Sequence, residues 1–170
     1  MRRLVASVFA ICVAVLISSG ALAQQPASPP PPPPPPLYGP AVTLEQAKKV
    51  VAAAVTAATK LPYRYVFAVV DPAGQLVYFE RMDSAPTSSI EVAIGKAWSA
   101  ATFKRPSKAF FDAMETGHSF FGQLDPRIVA SPGGLPLMLD GKIVGAIGVS
   151  GGPNGLFDMT AAQAGVDELK

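Results

Sequence analysis

The chain has 170 residues, of which 49% are apolar and 15% are charged, so it is long enough to bury the core of one ordinary domain. Its 14 Lys and Arg residues exceed its 12 Asp and Glu residues by two, and two arginines lie in an N-terminal segment with the features of a cleavable leader. The remaining 12 basic and 12 acidic residues balance. This balance argues against nucleic-acid binding, which needs a basic surface.

Residues 1–23 have the pattern of a secretory signal peptide. Arg2 and Arg3 precede the apolar residues 4–17, and an Ala-Leu-Ala triplet at residues 21–23 provides a cleavage site. An uncleaved anchor is the alternative, although the apolar run is short for a bilayer span. Cleavage would remove Cys12, the chain's one cysteine, and with it all thiol chemistry. We therefore expect a soluble exported protein, periplasmic or extracellular, without membrane contact after cleavage.

Residues 24–40 are predicted to be a proline-rich linker. An unbroken proline run occupies residues 29–36. Such a run adopts the polyproline II conformation and acts as a stiff spacer. Binding to an aromatic-lined groove of a partner is the alternative. The linker leaves residues 41–170 as a single domain.

The first part of this domain predicts a helix and then a hairpin. Thr43 and Gln46 form a capping box, and apolar residues then recur at helical spacing up to Pro62. Residues 65–70 and 75–82 are rich in β-branched and aromatic side chains, which is typical of strands. Asp71 opens the connection between them, and its Asp-Pro-Ala-Gly sequence predicts a type I turn followed by a bulge.

The middle of the domain predicts two helices and an irregular segment. Ser88 and Glu91 form a second capping box, which opens a helix that stops at Pro106. A short helix is predicted to start near Ser107. Residues 117–134 show no periodicity, and an irregular segment of this length in a compact domain is usually functional or disordered.

A second hairpin and a last helix complete the chain. Asp140 and Gly141 suit a type I′ turn between the apolar residues 135–139 and 143–149. Gly145 and Gly148 weaken the second strand unless another backbone or a ligand approaches it closely. The last helix is predicted at residues 159–169. Two hairpins with helices before, between and after them predict an α+β fold, an antiparallel sheet with flanking helices.

The sequence leaves open whether the protein is an enzyme. It contains no GxSxG, HExxH, Walker or CxxC motif, and a single histidine leaves little room for a hydrolytic triad or a zinc site. Asp71, Asp83 or Asp158 could act as a general base, but the turn explains Asp71 better. Binding is therefore the leading class of function, with catalysis second.

Three segments together resemble a known family. They are DPAG with LVYFERMDSAP at residues 71–86, SIEVAIGKAWSAATFKRPS at residues 89–107, and PGGLPLMLDGKIVGAIGVSGG at residues 132–152. The chain resembles the GlcG/HbpS family, which also includes the C-terminal domain of PduO-type proteins. The resemblance implies a profilin-like α+β fold, a homo-oligomer and haem as the cofactor. It also implies haem buffering, slow haem degradation or redox sensing as activities.

His118 is the first candidate for the haem-iron ligand. It is the one histidine in the chain, and phenylalanines beside it could cover a porphyrin face. The alternative is an exposed loop histidine without a ligand. Met114 offers a thioether, although a helical methionine is more often a core residue. Tyr65 and its neighbouring strand tyrosines could bind ferric iron as phenolates, but cross-strand packing explains them better.

Four further residues are candidates for binding the ligand's carboxylates. Arg81 and Lys96 could pair with haem propionates or with a small acid. Alternatively, Arg81 pairs with a neighbouring carboxylate and Lys96 lies on a solvated helix face. Gly133 and Gly134 could present backbone amides to an anion, or could serve only as turn residues.

Three hypotheses of function follow. The first is an exported haem-binding protein with His118 as the iron ligand. The second is a binding protein or enzyme for a small carboxylic acid of the glycolate type, using Arg81, Lys96 and the glycines. The third is a structural module whose glycines serve only subunit packing.

Overall fold

The computed structural model describes residues 32–169. The predicted signal peptide, Cys12 and the linker up to residue 31 lie outside the described residues. The elements below belong to one compact unit that begins at Pro34. Within residues 32–169, no helix combines the length and the apolar character needed to cross a membrane.

The described residues form four α-helices, four β-strands and a short 3-10 helix. The helices are α1 (Leu44–Ala58), α2 (Ser89–Thr102), α3 (Lys108–Glu115) and α4 (Gly155–Glu168). The strands are β1 (Val66–Val70), β2 (Leu76–Arg81), β3 (Gly134–Leu139) and β4 (Lys142–Ser150), and the 3-10 helix spans Ser119–Gln123. Both predicted hairpins and the predicted α+β fold are confirmed.

The two hairpins lie side by side in one antiparallel sheet of order β2-β1-β4-β3. Val66 of β1 pairs with Arg81 on one side and with Ser150 on the other. Asp140 and Gly141 have φ angles of 49° and 72°, as the predicted type I′ turn requires. The central strands β1 and β4 therefore carry the core on both faces.

Helices cover both faces of the sheet. Helices α1 and α4 pack on one face with Phe67, Ile147 and Val149, whereas the alanine-rich side of α2 packs on the other face with Val66 and Val70. Alternation along β1 produces this division, since successive side chains of a strand point to opposite faces.

Gly145 and Gly148 serve packing between backbones. A Cβ at Gly148 would collide with the Ala93 carbonyl oxygen of α2, and one at Gly145 would collide with the Val70 carbonyl oxygen of β1. A glycine inside a strand can make room for another backbone or for a ligand. At both positions it makes room for another backbone.

Helix starts follow the sequence only in part. The capping box of Thr43 and Gln46 is present. The box predicted at Ser88 is wrong, because this residue has a helical backbone (φ −61°, ψ −27°) and makes no cap hydrogen bond. Carbonyl groups of the preceding turn accept from the first amides of α2 instead. Helix α4 begins four residues before the predicted start, because the extended Asn154 caps it through a hydrogen bond from Leu156 N.

The last residues assigned to the linker contact the sheet. Leu37 O accepts from Ile143 N at 2.9 Å, and Gly39 N donates to Ile143 O at 2.8 Å. Strand β1 ends at Val70, which pairs with Ala146 of β4. The new pairing covers Ile143, further along β4, where the edge of that strand would otherwise lack a partner. The Tyr38 hydroxyl lies 3.0 Å from the Ala101 carbonyl oxygen, in the last turn of α2. The chain thus enters the domain along β4.

We expect Gly148→Ala to destabilise the domain by about 1–3 kcal/mol or more, because overpacking would push α2 away from the sheet. Urea unfolding measures the change. Gly141→Ala is the matched control: it meets no atom within 4 Å and adds only the strain of a positive φ. Gly148→Ala should cost more than this control, and a loss no greater than that of Gly141→Ala would contradict the close contact between α2 and β4.

Candidate functional site

A buried ion pair joins α2 to α4. Lys96 Nζ lies 2.6 Å from Asp158 Oδ2, and the two side chains are only 1% and 5% exposed. The ammonium also donates to Val149 O at 3.2 Å, and Asp158 Oδ1 accepts from Gly152 N at 2.8 Å. Both charges are therefore hydrogen-bonded, as buried ions must be to offset their lost hydration.

Gly133 makes room for this pair. Its φ is +122°, and a Cβ there would lie 2.8 Å from the Asp158 Cβ and 3.1 Å from Lys96 Nζ. Because α2 and α4 pack on opposite faces of the sheet, the two side chains meet at its end, beside Gly133. A Cβ at Gly133 would also lie 2.7 Å from the Val149 carbonyl oxygen, so a side chain at this position would collide with β4 and with both members of the pair.

The environment of Lys96 differs from both expectations based on the sequence. Its ammonium faces neither solvent nor an open pocket, since Asp158 and the Val149 carbonyl oxygen occupy it. Burial lowers the pKa of Lys96, while the charge and hydrogen bond of Asp158 act in the opposite direction. In this structure the pair joins two helices.

The backbone amide of Gly134 is also hydrogen-bonded within the protein. Its amide donates to Ser107 Oγ at 2.8 Å, and that hydroxyl donates to Ser131 O at 2.6 Å. The Ser107 amide donates in turn to Gly134 O. The glycine amide is thus committed within the protein. No local sequence pattern points to this role of Ser107; its one signal is its position at the predicted start of α3.

Tyr65 carries a polar atom without a partner. The residue is fully buried, and its hydroxyl makes no hydrogen bond within residues 32–169. Burial, with a further contribution from the negative charge of Asp158, raises the pKa of Tyr65 to about 12. Its ring contacts Tyr63 and Phe67 at centroid distances of 6.5 and 6.3 Å, which supports packing over iron ligation for this residue.

Arg81 lies at the exposed end of β2, two strands across the sheet from Ser150 of β4. Among residues 32–169 it makes no ion pair or side-chain hydrogen bond, so neither Glu80 nor Asp83 holds its guanidinium. It is the one candidate carboxylate-binding residue whose charged group stays open to solvent.

His118 lies on a surface segment that we call the aromatic arm, residues 108–124, formed by α3 and the 3-10 helix. Its ring contacts those of Phe120 and Phe121 at centroid distances of 6.4 and 6.5 Å. The two phenylalanine rings stack on each other at 4.5 Å. A flat aromatic surface therefore lies beside an exposed imidazole.

Thr116 orients that imidazole. Its Oγ1 lies 3.0 Å from the carbonyl oxygens of Asp112 and Ala113, and 3.3 Å from His118 Nδ1. The hydroxyl either donates to Nδ1 or, when it donates to a carbonyl, accepts from Nδ1–H, according to the tautomer of the ring. In both cases Thr116 contacts Nδ1, and Nε2, a nitrogen that can bind a metal, makes no hydrogen bond among residues 32–169.

Large apolar side chains on the arm are exposed. They are Phe111 (41%), Met114 (42%), Phe120 (53%) and Leu124 (54%). Only Phe110 of α3 is buried, where its ring packs against Phe103 at 5.1 Å. Contiguous exposed apolar surface of this kind marks binding sites on soluble proteins.

A second surface lies between α1 and α4. This groove has a volume of about 660 Å³, and its lining mixes apolar residues, such as Leu61 and Met159, with polar and charged ones, such as Lys60 and Asp167. Met159 is its one side chain of a type that binds haem iron. The lining of this groove contains no histidine.

The structure thus brings together three of the predicted site residues: Lys96, Gly133 and Gly134. No hydrogen bond, ion pair or ring contact among residues 32–169 joins Arg81 or His118 to them. Nor do the described residues contain a cluster of three or more His, Cys, Asp or Glu residues able to hold a metal ion.

Comparison with known proteins places this architecture in a family. The family model described as "Haem degrading protein HbpS-like" matches residues 42–167. A 15.0 kDa protein from the dhaT-dhaS intergenic region of Citrobacter freundii is 40% identical over 65% of this chain and 80% of its own length. The chain belongs to the HbpS-like family.

Solved structures agree with this assignment. A double mutant of HbpS from Streptomyces reticuli aligns with a TM-score of 0.72 at 31% identity, covering 85% of this chain and 99% of that one. A PduOC–haem complex aligns with a TM-score of 0.70 at 29% identity, covering 76% of this chain and 96% of that one. The single-domain α+β fold is thus shared with proteins of this group.

Removing one partner of the buried ion pair should be costly. We expect Lys96→Met to destabilise the domain by about 3–5 kcal/mol, because it leaves the Asp158 carboxylate buried without a countercharge. Adding Asp158→Leu should recover much of this loss, which a double-mutant cycle in urea measures. Lys108→Met, which breaks an exposed pair with Asp112, is the control and should cost less than about 1 kcal/mol. A similar small loss for Lys96→Met would contradict the role given to the pair.

Tyr65→Phe should leave stability unchanged or raise it, because it removes a buried hydroxyl that has no partner. The folded-state pKa lies above the ordinary value of 10.0, so between about pH 10 and 12 the folded chain holds a proton that the unfolded chain has lost. The Tyr65 hydroxyl therefore makes the free energy of unfolding fall as the pH rises through that range. Tyr65→Phe lacks this group, so its free energy of unfolding should fall less over the same range. Unfolding curves at several pH values test this. A marked loss of stability at pH 7 would mean that the hydroxyl has a partner.

Proposed function

We propose that this protein binds haem outside the cytoplasm and that His118 is the iron ligand. The observation that carries the proposal is the aromatic arm, where an exposed imidazole, contacted at Nδ1 by Thr116, lies beside stacked phenylalanine rings. Membership of the HbpS-like family and the likeness to a PduOC–haem complex support it.

The residues of the arm fit the group. A haem presents a flat apolar face and an iron atom that accepts a neutral imidazole nitrogen. The arm offers both complements: Nε2 of His118, and the apolar surface of Phe120, Phe121 and Met114. Thr116 would keep the ring oriented, and the phenylalanines would exclude water from the iron side. Bound haem would supply redox chemistry at iron.

Haem buffering is the activity that this site favours. A ligand held on an exposed arm can exchange with other proteins, whereas catalysis usually needs a site closed to water. Slow haem degradation and redox sensing are further activities that the family resemblance suggests. Export rests on the pattern of residues 1–23, and a stiff linker would hold the domain away from its point of attachment or its partner.

The small-acid alternative has no contact in its favour. Of its candidate donors, Lys96 is engaged by Asp158, the Gly134 amide is engaged by Ser107, and Gly133 lies beside the buried pair; Arg81 is the candidate side chain that stays open to solvent. Binding of a glycolate-type acid would raise the thermal stability of the protein in proportion to the logarithm of ligand concentration. The same preparation can be tested with glycolate and with hemin.

We expect a hemin titration of the chain without residues 1–23 to give a saturable Soret shift. His118→Ala should abolish the shift or weaken binding at least tenfold, because the iron would lose its nitrogen ligand. Phe120→Ala should weaken binding while keeping the position of the band, since it removes apolar contact alone. Absorbance spectra report both effects, with albumin as the control for non-specific uptake.

Two further variants separate this site from its competitor. Leu44→Ala removes an equally exposed apolar side chain at the start of α1 and should have no effect. Met159→Ala tests the groove between α1 and α4. A shift that survives His118→Ala but is lost in Met159→Ala would move the haem to that groove, and the absence of any saturable shift would reject haem binding.

A further inference from the structure

A cleft lies between helix α2 and residues 125–131, the segment that follows the aromatic arm. Its volume is about 400 Å³, which suits a small ligand, and Pro126, Arg127 and Val129 form the wall opposite α2. None of its lining residues belongs to the arm, to the groove between α1 and α4 or to the buried ion pair. We propose that this cleft binds a small organic cation, a primary amine with an aromatic body, independently of haem.

The first step concerns the rigidity of the cleft. The Val129 amide donates to Ser99 Oγ at 3.0 Å, and that hydroxyl donates to Gly95 O at 2.7 Å. Gly95 lets the two walls approach each other, since a Cβ there would collide with the Val129 side chain. This part of the irregular segment is therefore fixed to α2. The cleft is formed before a ligand arrives, which lowers the entropic cost of binding.

The second step concerns charge. Glu91 and Arg127 are the charged residues of the lining. Asp125 neutralises Arg127, because its two carboxylate oxygens accept from Nε and Nη2 at 2.9 and 2.8 Å. The Glu91 carboxylate makes no hydrogen bond or ion pair among residues 32–169. The cleft thus carries one uncompensated negative charge, which favours a cation and disfavours an acid.

The third step concerns shape. Glu91, Ile94 and Trp98 lie along one stripe of α2, because residues three, four and seven positions apart share a helix face. At 1.5 Å per residue this stripe is about 10 Å long, with a carboxylate at one end and an indole at the other.

The wall beside the indole provides a flat surface for a ring. The Arg127 guanidinium lies 4.1 Å from the centre of the Trp98 ring, and the Arg127 side chain is 64% exposed, so its second face stays accessible. An aromatic ring can stack on this guanidinium while an ammonium on a short alkyl chain reaches Glu91. The class of ligand is therefore an arylalkylamine.

The fluorescence of Trp98 reports on the cleft directly, because Trp98 is the one tryptophan of the chain. In the chain without residues 1–23, at neutral pH and without hemin, we expect 3-phenylpropylamine to change the emission saturably. Three matched compounds test its parts: 3-phenylpropanol and 3-phenylpropanoate lack the ammonium, and propylamine lacks the ring. Each should bind at least about fivefold more weakly than 3-phenylpropylamine.

Two variants with the same change of charge test the role of Glu91. Glu91→Gln should weaken binding of 3-phenylpropylamine at least about fivefold and reduce its dependence on salt, while leaving binding of 3-phenylpropanol unchanged. Glu45→Gln removes an acidic residue from the first turn of α1, as Glu91→Gln does from that of α2, and should have no effect. His118→Ala should also leave binding of the amine unchanged.

The remaining outcomes would overturn the inference. Binding of 3-phenylpropanol or 3-phenylpropanoate as tight as that of the amine would remove the role of charge. An unchanged affinity in Glu91→Gln, or an equal loss in Glu45→Gln, would remove the role of Glu91. The absence of a saturable change up to about 10 mM 3-phenylpropylamine, a weak limit for a ligand of this size, would reject the cleft as an amine site. None of these results bears on haem binding, whose test depends on His118.

Discussion

The buried pair of Lys96 and Asp158 is the constraint around which the rest of the domain is arranged. Two buried ions are stable only when hydrogen bonds offset their lost hydration, and here Val149 O and Gly152 N each add one contact to the pair. The pair also ties α2 on one face of the sheet to α4 on the other. The absence of a side chain at Gly133 follows from this packing, because a Cβ there would lie within about 3 Å of Val149 O, Asp158 Cβ and Lys96 Nζ.

Close backbone packing explains the glycine-rich strands and leaves little room for a ligand beside them. Gly145 and Gly148 admit neighbouring backbones, and the Gly134 amide is used by Ser107. The glycine-rich end of the sheet is consequently filled by the protein itself. Accessible apolar surface lies instead on the aromatic arm and in the groove between α1 and α4, and of these the arm alone combines that surface with an imidazole.

Local chemistry made much of the fold predictable. A type I′ turn at Asp140 and the capping box at Thr43 depend on residues within a few positions of each other, and both are present. Where a distant or preceding backbone competes, the pattern fails. Ser88 carries the residues of a capping box, yet the turn before it supplies acceptors to the first amides of α2 and leaves the box unused. Asn154 starts α4 earlier than the apolar pattern suggested, because one side-chain acceptor decides the start.

By itself, the sequence determined the order of helices and hairpins, the α+β class and the family, since these depend on periodicity, turn residues and ordered motifs. It also singled out His118 and its phenylalanines, which are neighbours along the chain. Only the tertiary structure decided the environment of Lys96, because its partner Asp158 is 62 residues away. The two expectations from the sequence placed this ammonium on a ligand carboxylate or on a solvated helix face. The same holds for Gly134 and Ser107, which are 27 residues apart. Contacts between distant residues depend on how the helices pack across the sheet, and no local pattern encodes that packing.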